Sequence, residues 1–321
     1  MLDLALQNLL SPMVLFFALG LAAAAARSDL SIPEAVAKLL AVYLLLSIGF
    51  RGGAEVSHHG LTAQLALTIT AGMLLSFATP YVAYGILRVA SGLSPADAAA
   101  VAGHYGSISA VTFVAVTGVL THLAVPYDGY LVAVAAAMET PAIFAALLIA
   151  RRNREAAPER QGFLRHVAFN GSIVVLLGAF VIGAVTGQRG FSMLKPFILD
   201  AFPGFLCLFM LEMGMVAGRG LQQGMRHLTP PVCVFAIGMP LVGASMAAAA
   251  AAAIGLSAGS AAVFMTLAAS ASYIAVPAAL RLALPEANPA IALTLSLGIT
   301  FPFNLTLGIP LYIAAASLIS V

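Results

Sequence analysis

Two short strings carry the residues whose types and spacing could do chemistry, Gly106-Ser107-Ile108-Ser109 and Ser270-Ala271-Ser272. An offset of 163 lays one on the other, with Ser107 on Ser270 and Ser109 on Ser272. Both are small, hydroxyl-bearing stretches inside apolar sequence, where a glycine or alanine lets a helix break or a second backbone approach closely. A break exposes the amides that open the second half-helix, and with about half an elementary positive charge from the helix dipole they attract an anion. Two such breaks brought face to face would hold a small anion with amides and hydroxyls alone. Neither string contains Lys or Arg, and a weak, exchangeable hold suits a carrier that must release its load.

A carboxylate marks the second kind of chemistry. Glu139 stands in AMETPA, with Thr140 beside it and Pro141 after it. A carboxylate, a hydroxyl and a carbonyl freed by proline are hard oxygen ligands, suited to Na+ or a proton. An offset of 161 lays Glu139 on Thr300, and Asn304 one turn further adds neutral oxygen to an asymmetric pair of sites. Glu212, in FMLEMGMVAG, is a second acid within apolar sequence. Asp97 in SPAD reads instead as a helix cap with Ser94 and Pro95. Cys207 and Cys233 lie in apolar runs without ligand or redox spacing, so neither a transition metal nor a disulfide is expected, and no cofactor beyond a coupling Na+.

The elements that position these groups are membrane helices. At 62% hydrophobic and 8% charged, with a mean hydropathy of +1.04, the chain of 321 residues has an outside made mostly for lipid. The net charge of +2 gives no reason to expect nucleic acid as a partner. Ten stretches are long enough to span: about 10–26, 36–54, 61–87, 95–120, 129–150, 166–187, 196–217, 231–254, 259–283 and 289–319. The first begins without a basic n-region and is expected to be retained. Five arginines between residues 151 and 166 place that connection in the cytoplasm. Alternation then puts Arg27, Lys38, Arg88, Arg219, Arg226 and Arg281 on the same side, leaves Arg51, Arg189 and Lys195 outside, and sets both termini outside.

The likeness extends beyond the serines. At an offset of 165, SIGFRGG (47–53) lies over EMGMVAG (212–218). The chain therefore reads as an all-α integral membrane protein of ten helices in a five-plus-five inverted repeat: residues 1–150, a cytoplasmic basic linker 151–165, and residues 166–321. The fourth and ninth helices are expected to be interrupted. Because each copy has an odd number of spans, the second enters the membrane upside down, an arrangement that serves alternating access in secondary transporters. Three rivals fit less well. A cation/proton antiporter calls for charged residues beside the breaks, where Ser, Ala and Tyr stand. An intramembrane serine hydrolase built on His104 and Ser107 leaves the repeated Ser270 without a role. A scaffold does not explain Glu139.

GHYGSISAVTFVAV (103–116), together with SIGFRGG, AMETPA, FMLEMGMVAG and SASYIAVPAA, resembles the sodium-dependent bicarbonate transporter family over about residues 8 to 318. The resemblance implies core and gate domains, elevator-type alternating access, a homotrimer, and import of bicarbonate with Na+ across a bacterial inner membrane. Carried over residue by residue, it implies that Gly106, Ser107, Ser109, Ser270, Ala271 and Ser272 meet the anion. Na+ would lie beside Glu139, Thr140, Thr300 and Asn304. Sodium-coupled symport of another small organic or inorganic anion is the alternative. Family members that bind a PII-type signalling protein have a longer cytoplasmic connection, so the short linker here argues against that partner.

Overall fold

Many of the helices in this chain begin where a hydroxyl or amide side chain precedes a proline or a small residue. The computed structural model describes residues 10–59, 62–152, 171–224 and 228–319, apart from 274, 275, 277–279, 281–283 and 285. Its helices are α1 (Pro12–Ala25), α2 (Glu34–His59), α3 (Ala63–Ala90), α4 (Pro95–Gly106), α5 (Ala110–His122), α6 (Leu131–Arg152), α7 (Gly171–Lys195), α8 (Phe202–Gly224), α9 (Pro230–Ile254), α10 (Ala258–Ala268) and α11 (Pro289–Ile319). Prolines at the first turns of α1, α4, α9 and α11 supply the fixed φ and lack only an amide that has no helical partner there. Thr62, Ser94, Ser109, Ser257 and Asn288 cap their helices through the side chain. No strand occurs among the described residues.

Seven described helical segments are long and apolar enough to cross a bilayer, with α4 and α5 together forming one of them. Two shorter apolar helices, α1 and α10, accompany them. The lipid-compatible outside is written in exposed residues such as Leu15, Leu39, Leu74, Val181 and Val234. The α4–α5 segment is the opposite, buried along nearly its whole length. Gly187, at φ +54°, breaks α7 where the stretch 166–187 was expected to end. The linker 151–165 lies outside the described residues except for the helical backbone of 151 and 152. Within α11 two π-type stretches, Ser296–Thr300 and Asn304–Gly308, each run up to a proline, Pro302 and Pro310, whose missing amide loosens the ladder.

The helices pack as two groups. One pairs α1 with α8 and α2 with α7; the other gathers α3, α4, α5, α6, α9, α10 and α11. Glycines set the contacts of the first group. A methyl on Gly20 would strike Leu211 O and Met215 N, and one on Gly214 would strike Phe17 O and Leu21 N. Across the other pair, a methyl on Gly183 would strike Phe50 O and Ala54 N, and one on Gly53 would strike Phe180 O and Ala184 N. These are the same contacts twice. Adding 163 to each α1 residue and subtracting 161 from each α8 residue converts the first set into the second, atom for atom. The contacts thus pair Gly53 with Gly214, an offset of 161 where 165 was expected from the strings. Glycine-rich sequence accepts several registers, and only backbone contact selects one.

Matched contacts recur in the second group. Ser94 caps α4 at the amide of Asp97, and Asp97 Oδ1 accepts the amide of Asn288 at 2.7 Å. Ser257 caps α10 at the amide of Ser260, and Ser260 Oγ accepts the amide of Asp128 at 2.9 Å while donating to its carboxylate. Thus α10 starts beside the loop that follows α5, whereas α4 starts beside the residue that opens α11. Gln64, at the start of α3, donates to Gly255 O at the end of α9, so those two packed helices run antiparallel.

Replacing Gly214 or Gly53 by alanine should lower the thermal unfolding midpoint in detergent, by the about 1–3 kcal/mol typical of forced overpacking. Gly238→Ala in α9, where an added methyl meets nothing within 4 Å, should leave it unchanged or raise it. Equal responses at all three positions would contradict the packing described.

Candidate functional site

The chain leaves helical geometry between Gly106 and Ala110, and Ser107 and Ser109 there are extended. After α10 ends at Ala268, residues 270–272 also leave the helix. Both segments are buried, and they cross. The amide of Ser272 donates to His104 O at 2.8 Å, and the His104 ring donates from Nδ1 back to Ser272 O at 2.6 Å. Because Ser272 O can only accept, this pair assigns the proton to Nδ1. Beside it, the amide of Ser109 donates to Ser270 Oγ at 2.8 Å, and Ser270 Oγ donates to Leu267 O at 2.7 Å. His104 is therefore held by Ser272, and Ser107 gives its proton to Glu139 O, so no hydrogen bond joins His104 to Ser107 among the described residues.

Helix ends inside a membrane protein must find partners for their orphan groups. Here several of the orphan carbonyls are occupied. His104 O receives Ser272, Leu267 O receives Ser270, and Ala269 O receives Asn304 Nδ2 at 2.8 Å. The amide end of α5 is only partly used. Ser109 Oγ accepts the amide of Thr112 at 3.2 Å, while the amides of Ala110 and Val111 take no acceptor among the described residues. The open amide end of α5 favours negative charge at that side of the crossing. The residues after Tyr273 that would open a second half-helix, 274, 275 and 277–279, lie outside the described residues.

The four serines divide into two equivalent pairs. Ser107 and Ser270 spend their protons on carbonyls, Ser107 on Glu139 O at 3.3 Å. Among the described residues, Ser272 donates its hydroxyl proton in no hydrogen bond, and Ser109, with the buried Tyr273 hydroxyl beside it, gives its proton to no carbonyl. Gly106 serves close approach: a methyl there would strike the Pro80 ring and Ala142 Cβ. Ala271 contributes backbone, its side chain packed with Tyr105 and Phe235.

Glu139 is 4% exposed, and its Oε2 has no hydrogen-bond partner. Pro141 leaves the carbonyl of Ala137 without its helical donor one turn away. Thr140 lies in α6, with its side chain outside the described residues. Thr300 and Asn304 are held elsewhere. Thr300 donates to Ala236 O at 2.7 Å and so accepts from Tyr105 at 2.6 Å. Asn304 joins Ala269 O to the Tyr312 hydroxyl. No hydrogen bond joins Glu139 to either among the described residues. Tyr312 is thus a neighbour that the sequence reading did not single out, and Tyr105 and His104, which it did note, take partners it did not foresee. Their signal was polarity at buried helical positions, Tyr312 two turns from Asn304 and His104 one turn before Ser107. Phe301 packs edge-on against both Phe17 of α1 and Tyr273, linking the first helix group to the crossing. No cluster of three or more His, Cys, Asp or Glu that could hold a metal ion occurs among the described residues.

A family model described as the Na+-dependent bicarbonate transporter superfamily matches residues 12–317. No curated protein matches the chain.

Ser270→Ala leaves the buried amide of Ser109 without its acceptor and should destabilise the protein by about 1–3 kcal/mol. Ser272→Ala removes a hydroxyl that donates to nothing among the described residues and should leave the thermal midpoint near that of the parent. Equal midpoints for the two variants would show that the Ser109–Ser270 bond does not hold the crossing together.

Proposed function

Since the chain belongs to the Na+-dependent bicarbonate transporter superfamily, a multi-pass membrane transporter family rather than an enzyme family, we propose that it imports bicarbonate coupled to Na+ by elevator-type alternating access. One observation carries this reading. At the buried crossing the amides of Ala110 and Val111 and the hydroxyl of Ser272 have no partner among the described residues, and the Ser109 hydroxyl lies beside them. Amides and neutral hydroxyls bind bicarbonate without a fixed opposite charge, so release on the far side costs little. Ser107, Ser270, Gly106 and Ala271 position the two segments. Na+ is assigned to Glu139 and the carbonyl freed by Pro141, with Thr140 beside it. Thr300 and Asn304 complete the equivalent place in the second half.

In this mechanism Na+ at Glu139 adds positive charge behind Ser107, whose hydroxyl bonds the Glu139 carbonyl, and so raises affinity for the anion. Linkage makes the effect mutual. One Na+ per bicarbonate makes the loaded step electroneutral, whereas each additional Na+ draws on the membrane potential at about 2.3 kcal/mol per charge per 100 mV.

The inverted five-plus-five repeat, with ten spans, belongs to the same proposal. It is supported by the doubled glycine contacts, by the reciprocal Asp97–Asn288 and Ser260–Asp128 ties, and by the antiparallel run of α3 and α9. The group of α1, α2, α7 and α8 is the candidate gate, and the other group the candidate moving core. A homotrimer in a bacterial inner membrane, with both termini outside, completes the proposal on the strength of the resemblance and the placing of Lys and Arg. No cofactor beyond Na+ is invoked, and the short linker weighs against a PII-type regulator.

Uptake of labelled bicarbonate into proteoliposomes, with and without an inward Na+ gradient, tests the function. Sodium-driven accumulation is the expected result. Na+-dependent uptake of a small carboxylate with none of bicarbonate would replace the substrate and keep the mechanism. Ser272→Ala should raise the KM for bicarbonate about tenfold, as expected for loss of one hydrogen bond to a charged group. Glu139→Gln should shift the Na+ dependence, and an unaltered Na+ curve in that variant would sink the cation assignment.

A further inference from the structure

Towards the end of α5 remote from the crossing, a pocket of about 330 Å³ opens between the two helix groups. Arg51 of α2 forms one wall; Thr117 and Thr121 of α5 and Tyr127 of the following loop form the other. Phe113, also a lining residue, stands one helical turn after Ser109, or about 6 Å along the axis. The pocket thus begins almost at the crossing. Arg51 is its only charged lining residue, and no ion pair or hydrogen bond engages the guanidinium among the described residues. Thr117 and Thr121 give their protons to Val114 O and Thr117 O, so their oxygens are left as acceptors for hydrating water.

A half-buried guanidinium with no counter-charge among the described residues, within an apolar helix bundle, calls for something to neutralise it. Its planar fork matches the two oxygens of a carboxylate-like anion, and a lone positive charge in a low-dielectric cleft raises the local anion concentration. We propose that this pocket is a docking site for a small carboxylate-like oxyanion of the bicarbonate class, where the anion gathers before passing along α5 to the crossing. The proposal rests on the transport reading and adds a second anion site to it. Under the orientation argued from Lys and Arg placement, the pocket lies on the outer side. Arg51 collects anions there, and Phe113 stands between the pocket and the crossing.

Two measurements test it separately from transport. In proteoliposomes, Arg51→Gln should raise the external KM for bicarbonate about fivefold and keep Vmax within about twofold, with the gap shrinking at high ionic strength. Arg51→Lys should recover part of the loss. An unchanged KM, or a fall in Vmax alone, would overturn the docking site. Glu55 lies four residues on from Arg51 in sequence, so Glu55→Gln is the control: the same rise in KM would assign Arg51 to an ion pair within α2 and overturn the proposal. The second measurement needs no uptake. With Cys207 and Cys233 replaced by alanine, bicarbonate should slow labelling of Thr121→Cys by a neutral maleimide, and should not do so when Arg51→Gln is added. Protection without any uptake would leave the pocket standing and defeat the transport reading; uptake without Arg51-dependent protection would do the reverse.

Discussion

Two polypeptide segments stop being helical inside the protein, and their backbone groups must be satisfied there because no water stands in for them. The reciprocal pair between His104 and Ser272, with the Ser109–Ser270 bond beside it, meets that demand. Each segment supplies what the other lacks: α4 ends on an orphan carbonyl that Ser272 caps, and the Ser109 amide before α5 finds Ser270. The arrangement also decides the sign of the field. With several carbonyls capped and part of the α5 amide end without a described partner, a site without any basic residue becomes attractive to an anion. A buried histidine used as a neutral donor fits this logic, since a fixed imidazolium would hold the anion too firmly for a carrier.

Around the crossing, rigidity and freedom are divided between the two helix groups. The glycine seams of α1 with α8 and α2 with α7 bring backbones together so closely that no side chain intervenes. Tyr43 reinforces this group, its hydroxyl donating to Phe197 O and its ring packed against Phe197 and Phe205. The second group is bound by its own ties at Asp97, Ser260 and Gln64. Motion between two such bodies needs only their shared surface to repack, and that surface carries Phe301 against Phe17 and the Arg51 pocket. The proposed alternation and the proposed docking site thus draw on one boundary.

The break in the α4–α5 segment was legible because glycine and two serines interrupt an apolar run at a place matched by a second such run. That Glu139 is buried was legible from its place in an apolar run. The division of labour among the serines was not. Ser107 and Ser109 are chemically identical, and only their neighbours, Glu139 O for one and the α5 amide of Thr112 for the other, separate a hydroxyl that donates to a carbonyl from one that caps a helix. Thr300 and Asn304 were found as polar residues on α11, but their engagement with Tyr105, Ala236, Ala269 and Tyr312 depends on helices far away in the chain.

The sequence alone determined the solvent, the places where helices start and break, and the kinds of group available at the breaks. These follow from transfer free energies, proline and glycine geometry and capping chemistry, all of which act locally. Tertiary structure decided the register of the duplicated contacts, the pairing of His104 with Ser272, and which hydroxyls and amides stay unspent. Those are outcomes of competition among many near-equivalent partners in a glycine- and alanine-rich chain, and the competition is resolved only when backbones touch.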